Sequence, residues 1–259
     1  MLSYFTELNR KRPPVQPIDF ITHTMCPIVH DADDRTVMDN LGAVPWIAES
    51  VRAIAGGKPH RIGPSAIGMR QNPYGAAPID NIDNRRIAMA VNDPRQRGLF
   101  GAAWNLGLLA HAARAGVEAI ALSAPTGPSG LVYRPLNYPQ PWFDQRGRGV
   151  FPIYHVLAGI APAAGDPRLE TRSSDASSAE ALAWWDGDTT VLWLANLTDQ
   201  PQEVRIEGLA GDEGEVARLD GAQFVALSDA GGFEQTVRSE RLSPLMLAAY
   251  AVVRIRVRN

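Results

Sequence analysis

The segment Tyr4-Phe5-Thr6-Glu7-Leu8-Asn9-Arg10 sets the first expectation for the fold, because it predicts a β-strand that runs directly into a polar loop. A carboxylate and an amide, Glu7 and Asn9, stand at the end of this predicted strand. Barrels of alternating strands and helices carry their chemistry in this way, on the carboxyl ends of the strands and in the loops that follow. Almost nothing precedes the predicted strand, so we expect a fragment or one module of a longer enzyme.

Three more strands are predicted downstream, and helical patterns lie between them. The predicted strands cover 18–26, 61–69 and 119–123, and the predicted helices cover 34–55, 94–115 and 150–161. Gly56-Gly57 is typical of a helix that ends at a C-terminal glycine. Strands that alternate with helices of this length indicate βα units and a parallel sheet. The insert 70–92 is rich in Asn, Pro, Gly and Asp, and loops of that length are usually functional.

The pattern changes near residue 164, where Ala164-Gly165-Asp166-Pro167 predicts a linker. Short alternating strands follow, and Asp186-Gly187-Asp188 predicts a hairpin turn between two of them. These later strands are predicted over 180–185, 189–196, 203–206, 216–219, 223–226 and the end of the chain. The sequence therefore predicts an α/β fold. The C-terminal half of a (β/α)8 TIM barrel, the last four βα units, occupies residues 1–163, and a small antiparallel β-sandwich occupies residues 164–259.

Composition narrows the function classes. A net charge of −3 gives no electrostatic basis for binding nucleic acid or an anionic membrane. No stretch is long and apolar enough to span a bilayer. A single cysteine, Cys26, excludes an intramolecular disulfide and agrees with a reducing, cytoplasmic location. We also expect no metal and no cofactor, because no Cys/His cluster of the metal-binding type is present, and the oligomeric state is left open.

Glu7 and Asn9 are the first candidates for catalysis. Residues two apart on a strand point to the same face, so a strand here would place Phe5, Glu7 and Asn9 together. Glu7 would then act as a general acid, base or nucleophile, and Asn9 would bind substrate or a developing oxyanion. The alternative is that Glu7 merely pairs with a neighbouring arginine.

The exits of the next two predicted strands supply the other candidates. His23 is expected to face the barrel centre as a base, and His30, beside three acidic residues, to bind substrate. Arg70 suits a carboxylate or a carbonyl oxygen. Asn72 and Tyr74 complete the predicted substrate-binding set. For His30 and its acidic neighbours the alternatives are a divalent-metal site and helix capping, with Asp34 the expected cap. For Arg70 the alternative is a salt bridge to an aspartate in the insert.

Four long runs resemble the D-apionate lactonases of bacterial apiose catabolism. They are Phe5-Thr6-Glu7-Leu8-Asn9-Arg10-Lys11-Arg12-Pro13, Thr22-His23-Thr24-Met25-Cys26-Pro27-Ile28-Val29-His30, Arg61-Ile62-Gly63-Pro64-Ser65-Ala66-Ile67-Gly68-Met69-Arg70, and Asp93-Pro94-Arg95-Gln96-Arg97-Gly98-Leu99-Phe100-Gly101-Ala102-Ala103-Trp104. The resemblance covers most of residues 3–160. It implies a TIM barrel related to glycoside hydrolases and a C-terminal β-domain. It carries no catalytic assignment, so the residue roles above come from the residues themselves.

Three functions follow from these observations. The first is hydrolysis of a small carbohydrate lactone such as D-apionolactone, with Glu7 or His23 as base and Arg70 and Asn9 at the oxyanion. The second is a glycoside hydrolase, which needs two carboxylates about 5–10 Å apart. Glu7 is one candidate, Asp31 and Asp33 are poor substitutes for the other, and a partner from preceding strands stays open. The third is an inactive or carbohydrate-binding fragment, for which the tryptophans at 184, 185 and 193 are candidates, although alternating tryptophans in strands are typical of a core.

Overall fold

The computed structural model describes residues 3–259, which form two compact units. The first unit contains residues 3–96, 108–130 and 134–145, and the second contains residues 97–107, 131–133 and 146–259. No helix within the described part of the chain is long and apolar enough to cross a membrane.

Residues 3–146 alternate between helices and strands. The elements in chain order are helix α1 (Phe5–Lys11), strand β1 (Ile21–Met25), helices α2 (Asp34–Asp39) and α3 (Val44–Ala55), strand β2 (His60–Ser65), helix α4 (Leu99–Arg114), strand β3 (Ala119–Leu122) and helix α5 (Phe143–Arg146). Short 3-10 turns occupy Asn40–Ala43 and Pro94–Arg97. The three strands form a parallel sheet in the order β1-β2-β3.

The strands predicted over 18–26, 61–69 and 119–123 are confirmed in position, although each is shorter than predicted. The helix predicted over 34–55 is also present, as α2, a 3-10 turn and α3. It ends at Gly56, whose positive φ of 57° lies in the left-handed region that glycine adopts without strain.

The prediction of a strand over Tyr4–Arg10 is wrong. Tyr4 alone forms a parallel bridge, to Thr24, and the chain then enters α1. Helix wins over strand here because Phe5 and Leu8, three residues apart, both reach an apolar cluster with Val51 and Ala55 on α3. On a helix, residues two apart point in nearly opposite directions, so Phe5, Glu7 and Asn9 do not share a face.

The second unit contains an antiparallel β-domain. Its elements are helix α6 (Pro152–Ile160), strands β4 (Arg168–Leu169), β5 (Ala179–Asp186), β6 (Thr189–Asn196), β7 (Gln202–Val204) and β8 (Glu213–Leu219), helices α7 (Phe224–Leu227) and α8 (Gly232–Gln235), and strands β9 (Arg238–Arg241), β10 (Leu245–Leu247) and β11 (Val252–Arg258). One sheet has the order β4-β5-β6-β11-β8-β9 and a second pairs β10 with β7. A buried core that includes Leu192, Val253 and Leu247 joins the two sheets.

The hairpin predicted at Asp186-Gly187-Asp188 is confirmed, since β5 and β6 pair from Asp186 and Thr189 onward. The strand predicted over 223–226 is wrong, because those residues form the end of a 3-10 turn and the start of α7. The side chain of Asp220 caps that turn by accepting a hydrogen bond from the Gln223 amide at 3.1 Å. Leu227, at the end of α7, is buried.

Two of the three tryptophans proposed for core packing are buried, Trp184 and Trp193, whereas Trp185 is 60% exposed. The Trp193 ring lies against Gly159 on α6 so closely that a Cβ at that position would fall 2.2 Å from the ring. This close approach explains why a glycine occupies the last turn of α6.

Candidate functional site

Hydrogen bonds connect the carboxyl ends of the three parallel strands. The Ser65 hydroxyl, at the end of β2, donates to the Met25 carbonyl at the end of β1, at 3.1 Å. The Ser123 amide, directly after β3, donates to the Ser65 carbonyl at 2.8 Å. Three neighbouring strands therefore deliver their exits to one edge, where a (β/α) barrel builds its active site.

Arg70 joins this edge through Ser123. Its Nη2 donates to the Ser123 carbonyl at 2.7 Å. The Ser123 hydroxyl lies 3.0 Å from Nε2 of Gln96, which is completely buried. The Gln96 Oε1 in turn accepts from the Ile67 amide at 3.1 Å. The guanidinium is thus held at the strand exits and retains further N–H groups, of the five that arginine carries, for a ligand.

Tyr4 connects the start of α1 to the same edge. Its hydroxyl donates to the carbonyl of Gln71, the neighbour of Arg70, at 2.9 Å. Burial, followed by the charge of Cys26, raises the pKa of the Tyr4 phenol above its ordinary value. Cys26 donates from Sγ to the Ile67 carbonyl at 3.0 Å, and burial raises the pKa of its thiol to about 12. Both groups remain protonated near neutral pH, so Cys26 does not present a thiolate.

Glu7 lies in the first turn of α1, three residues after the Tyr4 bridge, and therefore follows the same sheet edge. Its carboxylate pairs with Lys11 on the next turn at 2.6 Å, and a third of the side chain is exposed. The predicted alternative of an ion pair with a neighbouring cation is thus present, although Lys11 rather than an arginine supplies the charge. An exposed pair of this kind contributes little stability, so the carboxylate stays available to a substrate or to water.

Asn9 is not brought to the site. The side chain is exposed on the far part of α1, where its Oδ1 accepts from Arg12 at 3.3 Å and its carbonyl accepts from the same guanidinium at 3.1 Å. The expectation that Asn9 lies beside Glu7 fails because that expectation required strand geometry.

The prediction that His23 faces the barrel centre is not met by the structure. It shares a face of β1 with Ile21, which packs against α1 and α3, and the Phe5 ring lies 5.8 Å away between ring centroids. His23 is 1% exposed and its Nε2 lies 3.0 Å from Nε2 of His60. The histidine is therefore on the helix side of the sheet.

Both histidines of the pair are neutral, and their hydrogen bonds show which ring nitrogen carries the proton. The His23 Nδ1 lies 3.2 Å from the Thr24 carbonyl, which can only accept, so Nδ1 carries the proton and Nε2 accepts from His60. Burial lowers the pKa of His23, despite the opposing effect of the Thr24 carbonyl. Burial, then the charges of His23 and Arg52, lower the pKa of His60 to about 4. A buried, neutral histidine pair of this kind has a structural role.

His30, Asn72 and Tyr74 come from the loops after β1 and β2, and the structure brings two of them together. The rings of His30 and Tyr74 lie 6.0 Å apart between centroids, and both residues are exposed. Asn72 instead holds its own loop, because its Oδ1 accepts from the Tyr74 amide and its Nδ2 donates to the Ala77 carbonyl, both at 2.8 Å. Asn72 therefore positions Tyr74 directly.

Residues that sequence reasoning missed fix the long insert against this edge. Asp93 and Arg95 form a bidentate pair that is almost completely buried, and Arg95 also reaches Asp34 at 2.9 Å. Burial works to lower the pKa of Arg95, but the hydrogen bonds and charges of both aspartates raise it overall. A cap was predicted at Asp34; the side chain that accepts from Thr36 belongs to Asp33. In the sequence, Asp93-Pro94-Arg95-Gln96 carries no local signal beyond its place in the run that resembles the lactonases.

No group of three or more His, Cys, Asp or Glu side chains among residues 3–259 is placed to hold a metal ion.

Two family models match the chain. The model described as D-apionate lactonase, TIM barrel domain, matches residues 1–165, and the model described as D-apionate lactonase, C-terminal immunoglobulin-like domain, matches residues 176–255. A protein of Brucella anthropi named D-apionate lactonase is 44% identical over 210 residues, which cover 81% of this chain and 33% of that protein. The chain thus spans about a third of the length of the curated relative that it matches.

Solved structures with low sequence identity show a related fold. CelM2, a bifunctional glucanase-xylanase from a metagenome library, has a TM-score of 0.54 at 13% identity, over 93% of this chain and 44% of that chain. A Paenibacillus polymyxa xyloglucanase of glycoside hydrolase family 44 has a TM-score of 0.51 at 10% identity, over 92% of this chain and 46% of that chain. These similarities confirm the predicted combination of a glycoside hydrolase-like TIM barrel and a C-terminal β-domain.

Proposed function

This chain belongs to the D-apionate lactonase family, and on that premise we propose that it carries part of a site that hydrolyses a D-apionolactone-like sugar-acid lactone to the open aldonate. The observation that carries the proposal is the set of groups at the sheet edge. A guanidinium, Arg70, is anchored at the exit of β3, and a partly exposed carboxylate, Glu7, follows the bridge at Tyr4. A cation and a base are what attack of water on a lactone carbonyl requires.

The proposed reaction begins with Glu7 taking a proton from water as the water oxygen bonds to the lactone carbonyl carbon. Arg70 stabilises the negative charge that develops on the carbonyl oxygen, through N–H groups not used by the Ser123 carbonyl. The ring carbon–oxygen bond then breaks, and the proton held by Glu7 passes to the leaving alkoxide. The product is an open hydroxy acid, and no proton is gained or lost beyond ionisation of the new carboxyl group.

His30 and Tyr74 are proposed to bind the substrate hydroxyls, because both are exposed at the same edge and neighbour each other. Asn72 is proposed to support them through the Tyr74 amide. Asn9 and His23, candidates on sequence grounds, are not part of the proposed reaction. One lies on the exposed end of α1 and the other lies on the helix side of the sheet.

We further propose that the activity needs the preceding strands of the barrel. Parallel sheets are normally covered on both faces. In β1 and β3, Thr22, Ala119 and Ala121 are exposed, whereas Ile21 and His23, on the other face of β1, are buried. The Brucella anthropi relative is about three times longer than the segment matched here. A hybrid in which its preceding portion is joined to this chain is therefore the enzyme to assay.

The test is acid release from D-apionolactone, followed in a pH-stat, by the chain alone and by the hybrid. We expect acid release by the hybrid at a rate above spontaneous hydrolysis, and little release by the chain alone. Cleavage of aryl glycosides by the hybrid, with no acid release from the lactone, would overturn the lactonase proposal in favour of a glycoside hydrolase. That alternative needs a second carboxylate besides Glu7, and Asp93, near this edge, is buried and already paired with Arg95.

A further inference from the structure

The amide of Gln96 can be oriented from its neighbours. Its Oε1 lies 3.1 Å from the Ile67 backbone nitrogen, which can only donate a hydrogen bond. The oxygen of the carboxamide therefore faces Ile67, and the nitrogen faces the Ser123 hydroxyl at 3.0 Å. Gln96 is completely buried in the 3-10 turn Pro94–Arg97, and the flanking Asp93–Arg95 pair holds that turn in place. The orientation is thus built into the fold.

This orientation decides what the Ser123 hydroxyl can do. Because Gln96 donates, the Ser123 oxygen accepts, and its own proton is left to donate elsewhere. The other hydrogen bonds that the structure gives Ser123, within residues 3–259, are through its backbone, to Ser65 and from Arg70. A hydroxyl whose acceptor side is occupied by a buried amide is a directed donor.

The position of this donor coincides with the proposed chemistry. Ser123 directly follows β3, and its positive φ of 63° turns the carbonyl to Arg70 as the strand ends. One residue thus presents an O–H group and holds the cation proposed for the oxyanion.

We propose that the Ser123 hydroxyl donates a hydrogen bond to the lactone carbonyl oxygen beside Arg70, and that Gln96 is the positioning residue that directs it. This inference rests on the proposed lactone hydrolysis and deepens it. It assigns Ser123 a catalytic role as an oxyanion donor, distinct from a nucleophile, and no bond to Ser123 forms or breaks.

Substitutions at two positions of the hybrid enzyme test the proposal. Ser123→Gly removes the hydroxyl and suits the left-handed backbone, and Ser123→Ala checks the same loss with a fixed Cβ. Gln96→Glu keeps the size of the side chain, but its carboxylate accepts from Ser123 and so draws the hydroxyl proton away from the substrate. Ser174→Gly and Gln145→Glu, at exposed positions, are the matched controls. Thermal unfolding of each variant confirms that it is folded.

We expect Ser123→Gly to lower kcat by about 100-fold, as for loss of one oxyanion donor, with a smaller change in KM. Gln96→Glu should show an added loss of activity as pH rises through the titration of its carboxyl group. That added pH dependence should vanish in the Ser123→Gly background, because Gln96 acts through Ser123.

Two outcomes overturn the inference while lactone hydrolysis stands. One is a folded Ser123→Gly hybrid that retains kcat within about threefold of the unsubstituted hybrid. The other is a Gln96→Glu pH profile that persists unchanged without the serine hydroxyl. Absence of acid release from the unsubstituted hybrid is a different result, because it overturns the proposed function itself and the inference with it.

Discussion

Replacing His60 with glutamine should make the protein less sensitive to acid. Burial and the charges of His23 and Arg52 lower the pKa of His60 from 6.5 to about 4 in the folded chain. On unfolding the imidazole regains its ordinary pKa, so between these two values the unfolded state binds a proton that the folded state excludes. The stabilisation linked to this group is complete above pH 6.5 and is lost as the pH falls toward 4.

The size of the effect follows from these two pKa values. Linkage gives a loss of about 2 kcal/mol of unfolding free energy between pH 7 and pH 5, with a limiting slope of about 1.4 kcal/mol per pH unit. In His60→Gln the amide still donates to Nε2 of His23, so the packing of the pair is retained without the titrating group. Urea titrations followed by circular dichroism at pH 7, 6 and 5 measure the unfolding free energy of both proteins.

The difference between the two proteins separates the His23–His60 pair from other groups that titrate in the same range. These include His155, whose pKa is also lowered by burial. His30→Gln, at an exposed loop position, is the matched control for loss of an imidazole. Equal losses of stability between pH 7 and pH 5 in wild type and His60→Gln would refute the buried neutral pair.

Two further predictions concern stability. Gly159→Ala should lower the free energy of unfolding by about 1–3 kcal/mol, because the new Cβ overlaps the Trp193 ring. Gly221→Ala, with open space around the Cβ position, should change the free energy of unfolding by under about 0.5 kcal/mol. Equal melting temperatures for the two variants would contradict the packing described. Arg95→Met should lower the free energy of unfolding, measured by urea titration, by about 3–5 kcal/mol, because Asp93 is left charged and buried without its bidentate partner. A loss below about 1 kcal/mol would show that Asp93 is not held as described.

Much of the fold was predictable because its signals are local. Gly56 after a run of helical spacing predicts where a helix stops, and Asp186-Gly187-Asp188 predicts a hairpin, since in both cases the backbone conformation depends on a few adjacent residues. The segment Tyr4–Arg10 failed because its strand-like composition is overridden by tertiary contacts. Leu8 reaches the apolar cluster with Val51 and Ala55 of α3 only if this segment forms a helix.

The candidate site was predictable as a region, and less so in detail. Arg70, His30 and Tyr74 follow strand exits, and the structure places them at the edge where parallel strands deliver their loops. The orientation of His23 could not be predicted, because alternation along a strand defines two faces without saying which one meets the helices. Gln96 gave no sequence signal, since its role depends on contacts with Ile67 and Ser123, each about 27–29 residues away.

The measurement that tests the central proposal most directly is the kcat/KM of D-apionolactone hydrolysis by the hybrid enzyme, with Glu7 and with Glu7→Gln. Glutamine keeps the shape of the side chain but cannot take a proton from water. The account predicts a loss of at least about 100-fold, the lower range for removal of a general base, while Glu49→Gln at an exposed position on α3 leaves the rate unchanged. Hydrolysis at the wild-type rate by Glu7→Gln would contradict it.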